Sequence, residues 1–132
     1  MKALRNLTSS MPCIAMFYRT VRDQLSLMEK PVVTPWGFKL AGNKAMASGD
    51  FEPVETELVR GILKDVDVLV NVGANIGYYC CHALSMGKKV IAFEPIQRNV
   101  HYLCKNLRLN GWSSAEILPV ALSNEVGIIE IY

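Results

Sequence analysis

The chain has 132 residues, 51% hydrophobic and 20% charged, which describes one globular domain with a single core rather than a disordered segment. Its net charge of +2 and the scatter of Arg5, Arg19, Arg22, Lys39, Lys64, Lys88 and Arg108 argue against a nucleic-acid or acidic-membrane partner. No apolar stretch reaches the ~20 residues of a membrane span, and the basic start Met1–Arg5 is followed by Ser9, Ser10 and Pro12 rather than an apolar signal core, so a cytoplasmic protein is expected.

From Pro12 to Met28 the residues Ile14, Phe17, Tyr18, Val21, Leu25 and Met28 recur at three- and four-residue steps, one face of a helix with Pro12 in its first turn. Residues 1–31 are read as an N-terminal helical segment that packs on the domain or contacts a partner. A strand–turn–strand element follows, with Val32–Thr34 and Phe38–Leu40 on either side of Pro35, Trp36 and Gly37. Residues 41–50 read as a loop, so the lead-in covers 32–50. A helix is expected over 53–64, with Pro53 at its start and Glu55 and Glu57 in its early turns, where the helix dipole favours acids.

The core spans 67–122. Its first strand is Val68–Val72, and a helix follows from about Asn75 to Met86, closed by Gly87. The second strand is Lys89–Phe93. The next helix runs from Pro95 to about Leu109 and ends at Asn110-Gly111. The third strand is about Ala115 to Val120, and a final strand is expected over 127–132. Strand, helix, strand, helix, strand is the order of a parallel α/β sheet. The first two strands are nearly all apolar, as expected of strands buried on both faces.

The most informative stretch is Asn71-Val72-Gly73-Ala74-Asn75-Ile76-Gly77. A glycine-rich strand-to-helix turn lets a ligand approach the backbone and aims free N–H groups at it. The second strand ends in Glu94, an acid placed ~20 residues after the loop, where nucleotide-binding βαβ units hold a ribose. Together they point to a ligand carrying an adenosine. A dinucleotide loop wants glycine at the position of Asn75, so that the backbone can touch a pyrophosphate. S-adenosylmethionine has no phosphate, and the requirement lapses.

These residues carry a resemblance. The run Asp67 to Tyr79 resembles the first motif of the FkbM-type S-adenosylmethionine-dependent methyltransferases. So do Val90-Ile91-Ala92-Phe93-Glu94-Pro95 with Asn99, the Asn106…Asn110-Gly111 pattern, Val120-Ala121-Leu122-Ser123 with Gly127, Thr34 to Phe38, and Phe51-Glu52-Pro53. The likeness covers about residues 32 to 132. It implies a Rossmann-like class I methyltransferase fold and methyl transfer to a hydroxyl of a sugar, glycan or natural product.

By position, the resemblance implies that Gly73 and Asn75 lie along the methionine part of the donor; Gly77 is a further cofactor-binding candidate, and Gly73 and Gly77 also read as glycines of a tight turn and close helix packing. Glu94 would accept from both ribose hydroxyls, Pro95 and Ile96 would flank the adenine, and Ala121 and Leu122 would close the other side. Thr56 is a candidate near the amino-acid tail. Asn71 stands where the family usually has Asp, a neutral dipole instead of a charge near the donor's ammonium, at a cost of about 1 kcal/mol. The family continues to a fourth strand beside the first, ending in an Asp-Val-Glu-Gly-like motif. The expectation is therefore a truncated domain, a fragment or a degenerate copy, with no catalytic base to nominate and an open, apolar sheet edge able to pair with another chain.

Other residues read as structural. Cys13, Cys80, Cys81 and Cys104 have no metal-ligand spacing and read as reduced thiols; no metal is expected. His82 and His101 read as solvated helix positions, Tyr78 and Tyr79 as packing aromatics, Trp36 and Trp112 as packing or surface-loop residues, and Asn75 also as a helix cap. Three functions follow: the donor-binding half of an O-methyltransferase, a non-catalytic remnant binding the donor weakly or a partner chain, and, against the Asn75 evidence, a dinucleotide-dependent oxidoreductase.

Overall fold

Two apolar runs, each closed by a turn-forming residue, become adjacent parallel strands. The computed structural model describes residue 21 and residues 30–128. Apart from Val21, the expected helix over 12–28 lies outside them, as do Cys13 and residues 129–132 of the expected final strand; Gly127 and Ile128 are in no strand. Along the chain come β1 (Val32–Val33), β2 (Lys39–Leu40), α1 (Lys44–Ser48), α2 (Pro53–Ile62), β3 (Val68–Val72), α3 (Tyr78–Ser85), β4 (Lys89–Phe93), α4 (Gln97–Leu109) and β5 (Ala115–Leu118).

The chain is a mixed α/β structure with a three-stranded parallel sheet in the order β3-β4-β5 and a separate antiparallel pair, β1 and β2. The strands β3 and β4 have the expected bounds. In the lead-in, Thr34 closes the turn twice, its N–H and its Oγ1 both donating to Phe38 O at 2.8 and 2.9 Å. The loop expected over 41–50 contains α1 instead. Asn43 caps it by accepting from Met46 N–H at 3.1 Å, and Gly49 ends it at φ 90°. The helix expected from Asn75 begins three residues later, at Tyr78, because Gly77 sits at φ 86°, a left-handed position that a helix cannot include.

One face of the sheet is packed. Val90 and Ala92 are buried there, with Leu69, Ala115 and Ile117 beside them, under a core that includes Tyr78, Cys80, Cys81, Leu84, Leu103 and Leu107. The other face is open. Val68, Val70 and Val72 are 42, 57 and 60% exposed, and in register Val70 aligns with Ile91 and Glu116, Val72 with Phe93 and Leu118. The expectation that β3 is buried on both faces is corrected. It is an edge strand among the described residues, and no described helix covers the face of Val68, Val70 and Val72.

The helix α4 ties the layers together. Tyr102 and Leu103 lie against two glycines: a Cβ on Gly42 would come 2.7 Å from the Tyr102 ring, and one on Gly77 would overlap Leu103 Cδ1. One turn further on, Asn106 and Asn110 bond the backbone of β2 and Ala41. No described helix is long and apolar enough to cross a membrane.

Candidate ligand site at the carboxyl ends of β3 and β4

Parallel strands end together, so the turns after β3 and β4 meet. Val72 aligns with Phe93, and the next residues fold onto one another. The N–H groups of Gly73 and Ala74 both donate to Phe93 O at 2.9 Å. Asn75 N–H donates to Glu94 Oε2 at 2.7 Å, and Gly77 N–H donates to Ala74 O at 2.9 Å. Three of these N–H groups therefore point at the end of β4, and the fourth closes the turn on itself. Those four groups, expected to be free for a ligand, are taken.

Glu94 is the centre of the arrangement. It is 4% exposed. Its Oε1 accepts from Ile96 N–H at 2.9 Å and from Asn99 Nδ2 at 3.2 Å, and its Oε2 accepts from Asn75 N–H. A carboxylate offers about four acceptor positions, so one remains, on Oε2. One ribose hydroxyl matches that capacity with every protein bond kept; two require the Asn75 N–H to be released. The residues thus fit an adenosine-bearing ligand through one hydroxyl.

The floor of the turn is open. A Cβ at Gly73 would meet nothing within 4 Å, whereas Gly73 itself has φ 76°. Asn75 is exposed at φ 51° and makes no side-chain cap, because the cap position of α3 belongs to Gly77. Ile96 is 42% exposed beside half-buried Pro95. Ala121 and Leu122 are exposed beyond β5. Asn71 points its Nδ2 at Cys80 Sγ, 3.4 Å away. Thr56 lies elsewhere: it is fully buried, and its Oγ1 donates to Phe51 O at 3.3 Å and shares a 3.2 Å hydrogen bond with Tyr78 Oη. The turn, Glu94, Pro95 and Ile96 come together, while Thr56 stays inside the core.

Two contacts were not foreseen in the sequence, where Asn99 entered only as part of the resemblance. Asn99 completes the Glu94 cradle from the third residue of α4; an asparagine one turn into a helix that follows a strand-end acid is the available signal. Glu52, at φ 43°, accepts from Tyr79 Oη at 2.8 Å. Burial and this carboxylate push the Tyr79 hydroxyl up to about 12.

His82 is corrected most. Expected in solvent, it is fully buried, with ring centroids of Trp36, Tyr78 and Phe38 at 4.4, 4.7 and 5.0 Å, all edge-to-face. Arg60 Nη1 lies 3.0 Å from its Nδ1. A guanidinium only donates, so Nδ1 accepts and Nε2 carries the proton, with no hydrogen-bond partner. Burial, then the Arg60 charge, lower its pKa to about 4. His101 is exposed, as expected. Burial raises the Cys80 thiol to about 11 and raises Cys81 as well, the behaviour of inert core thiols. Among the described residues no group of histidine, cysteine and acidic side chains is placed to hold a metal ion. Compared with known proteins, the chain matches no family, no curated protein and no solved structure.

Proposed function

We propose that the carboxyl ends of β3 and β4 form a binding site for S-adenosylmethionine, and that the chain carries the donor-binding part of an FkbM-type O-methyltransferase acting on a hydroxyl of a sugar, glycan or natural product. The observation that carries this reading is the junction of turn and acid, where Asn75 N–H meets Glu94 Oε2 at 2.7 Å above an open Gly73. The three-stranded parallel sheet is compatible with a Rossmann-like, class I methyltransferase core. The N–H groups of Gly73, Ala74 and Asn75, taken by Phe93 O and Glu94, favour a ligand without phosphates over a dinucleotide, whose pyrophosphate needs such donors.

In this reading the remaining position on Glu94 Oε2 accepts a ribose hydroxyl. Ile96 and Pro95 form an apolar wall for the adenine, with Ala121 and Leu122 on the opposite side. The open backbone at Gly73 admits the methionine part, and Asn71 offers it a dipole. When bound, the donor supplies an electrophilic methyl group; the chain's residues hold and orient it, which is the larger share of such a transfer. No described residue is assigned as a base.

Calorimetric titration of the chain with S-adenosylmethionine tests the reading. Saturable binding that Glu94→Gln weakens at least about tenfold, or about 1.4 kcal/mol, is the expected result. No heat of binding by a chain with native circular dichroism would overturn it, and saturation by NAD instead would move the site to the oxidoreductase reading.

A further inference from the structure

Two asparagines, Asn106 on α4 and Asn110 capping its C-terminus, perform the same task on the lead-in hairpin, and only Asn106 also reaches the ligand site. Asn110 Oδ1 accepts from Lys39 N–H at 2.7 Å and its Nδ2 donates to Lys39 O at 2.8 Å. Asn106 Oδ1 accepts from Ala41 N–H at 2.8 Å and its Nδ2 donates to Ala41 O at 3.1 Å. The geometry matches because four helical residues rise about 6 Å while two extended residues span about 6.6 Å. Each carboxamide acts as a neighbouring strand would, presenting one acceptor and one donor to alternate residues.

Asn106 has a further bond. The second hydrogen of its Nδ2 goes to Ile76 O at 2.8 Å, inside the glycine-rich turn, and the side chain is fully buried. Ile76 directly follows Asn75, which is held at φ 51° with its N–H on Glu94. Left-handed backbone at a non-glycine residue persists only where its surroundings fix it from several sides. On one side the turn is held by Phe93 O and Glu94. On the other it is held by Asn106 and by Leu103, packed against Gly77.

We infer that Asn106 is the positioning residue of the turn-and-acid site: by holding the Ile76 carbonyl it keeps Asn75 left-handed and its N–H on Glu94. Through Ala41, the same carboxamide makes that geometry depend on the docking of the lead-in hairpin. The inference rests on the proposed site for its functional meaning, and its geometric content stands apart from any ligand. Asn110 supplies the control, since it clamps the same hairpin without touching the turn.

The experiment compares Asn106→Ala with Asn110→Ala in the full chain by amide NMR. An N–H bonded to a carboxylate at 2.7 Å resonates downfield, and Glu94→Gln identifies the Asn75 signal. The expected result is that Asn110→Ala lowers stability in a denaturant titration and leaves the Asn75 resonance in place, while Asn106→Ala shifts it upfield. An unmoved resonance in Asn106→Ala, or an equal shift in both variants, would overturn the inference. Should Asn106→Ala not fold, hydrogen exchange in the unaltered chain decides. Equal protection of the Asn75 amide and the Asn106 carboxamide protons is expected, and a far faster Asn75 amide would overturn it. Titration with S-adenosylmethionine adds the functional arm, with about tenfold weaker binding expected for Asn106→Ala and less than about threefold for Asn110→Ala. If the unaltered chain does not bind, the donor reading fails while the resonance still decides the positioning role.

Discussion

The two faces of the β3-β4-β5 sheet have similar sequences and opposite surroundings. On the even face of β4, Val90 and Ala92 are 1 and 0% exposed beneath α3. On the opposite face, at Val68, Val70 and Val72 of β3, three valines remain open to solvent. Both faces carry β-branched apolar residues, Val68, Val70, Val72 and Ile91 on one and Val90 and Ile117 on the other, so the apolar residues of β3 alone do not identify the packed one. What distinguishes them is polar bonding over the packed side. Asn106, Asn110, Thr56 and the Arg60–His82 pair fix helices and hairpin there, and no such set exists on the open face among the described residues.

The sharpest way to break this contrast is Asn106→Ala, which strands Ala41 N–H, Ala41 O and Ile76 O in the core. A loss of about 3–5 kcal/mol in chemical denaturation is expected. Asn110→Ala, at a partly exposed site, is expected to cost about 1–2 kcal/mol.

Acidification comes next. His82 has an ordinary pKa of 6.5 and is held at about 4 in the fold, so between these values the unfolded chain binds the extra proton. Stability is full above pH 6.5 and falls as pH drops toward 4, by up to about 3 kcal/mol. Thermal melts across this range check it, and His82→Phe should flatten the slope if the ring cage accepts the phenyl group.

Smaller effects come from the glycines of the turn. Gly77→Ala, left-handed and facing Leu103, is expected to cost about 2–3 kcal/mol; Gly73→Ala, left-handed over open space, about 1 kcal/mol. Denaturant midpoints measure both. Smallest is Val70→Lys on the open edge. It should change stability by less than about 0.5 kcal/mol, yet shift sedimentation toward the monomer if that edge pairs with other chains.

Much of the frame was legible. Asp67 and Gly73 bracket one apolar run, Gly87 and the Glu94-Pro95 pair the other, so β3 and β4 could be bounded to the residue. The helix starts were less so, because whether Asn75 or Gly77 ends the turn depends on backbone angles that the residue types alone leave open. The segment 44–48 is too short to show a period, and only the Asn43 and Gly49 ends mark it. His82 was misjudged, and Asn106, named only as part of a pattern, was given no contacts, for one reason. Their partners, Trp36, Phe38 and Ala41, lie far away in the chain, and helical periodicity says nothing about which distant residue arrives. At the site, the spacing of loop and acid was readable, whereas the consumption of the turn's N–H groups by β4 was not.

The asparagine clamp also bears on how the chain acquires its shape during synthesis. A pair of two-residue strands has little stability alone, and the side chains that fix Ala41 and Lys39 stand 65 and 71 positions downstream. At translation speeds of about 5–20 residues per second, the lead-in waits about 3–14 s for its partners to emerge. During that interval Trp36, Phe38 and Leu40 have no core to enter, so the segment made early is among the last to settle.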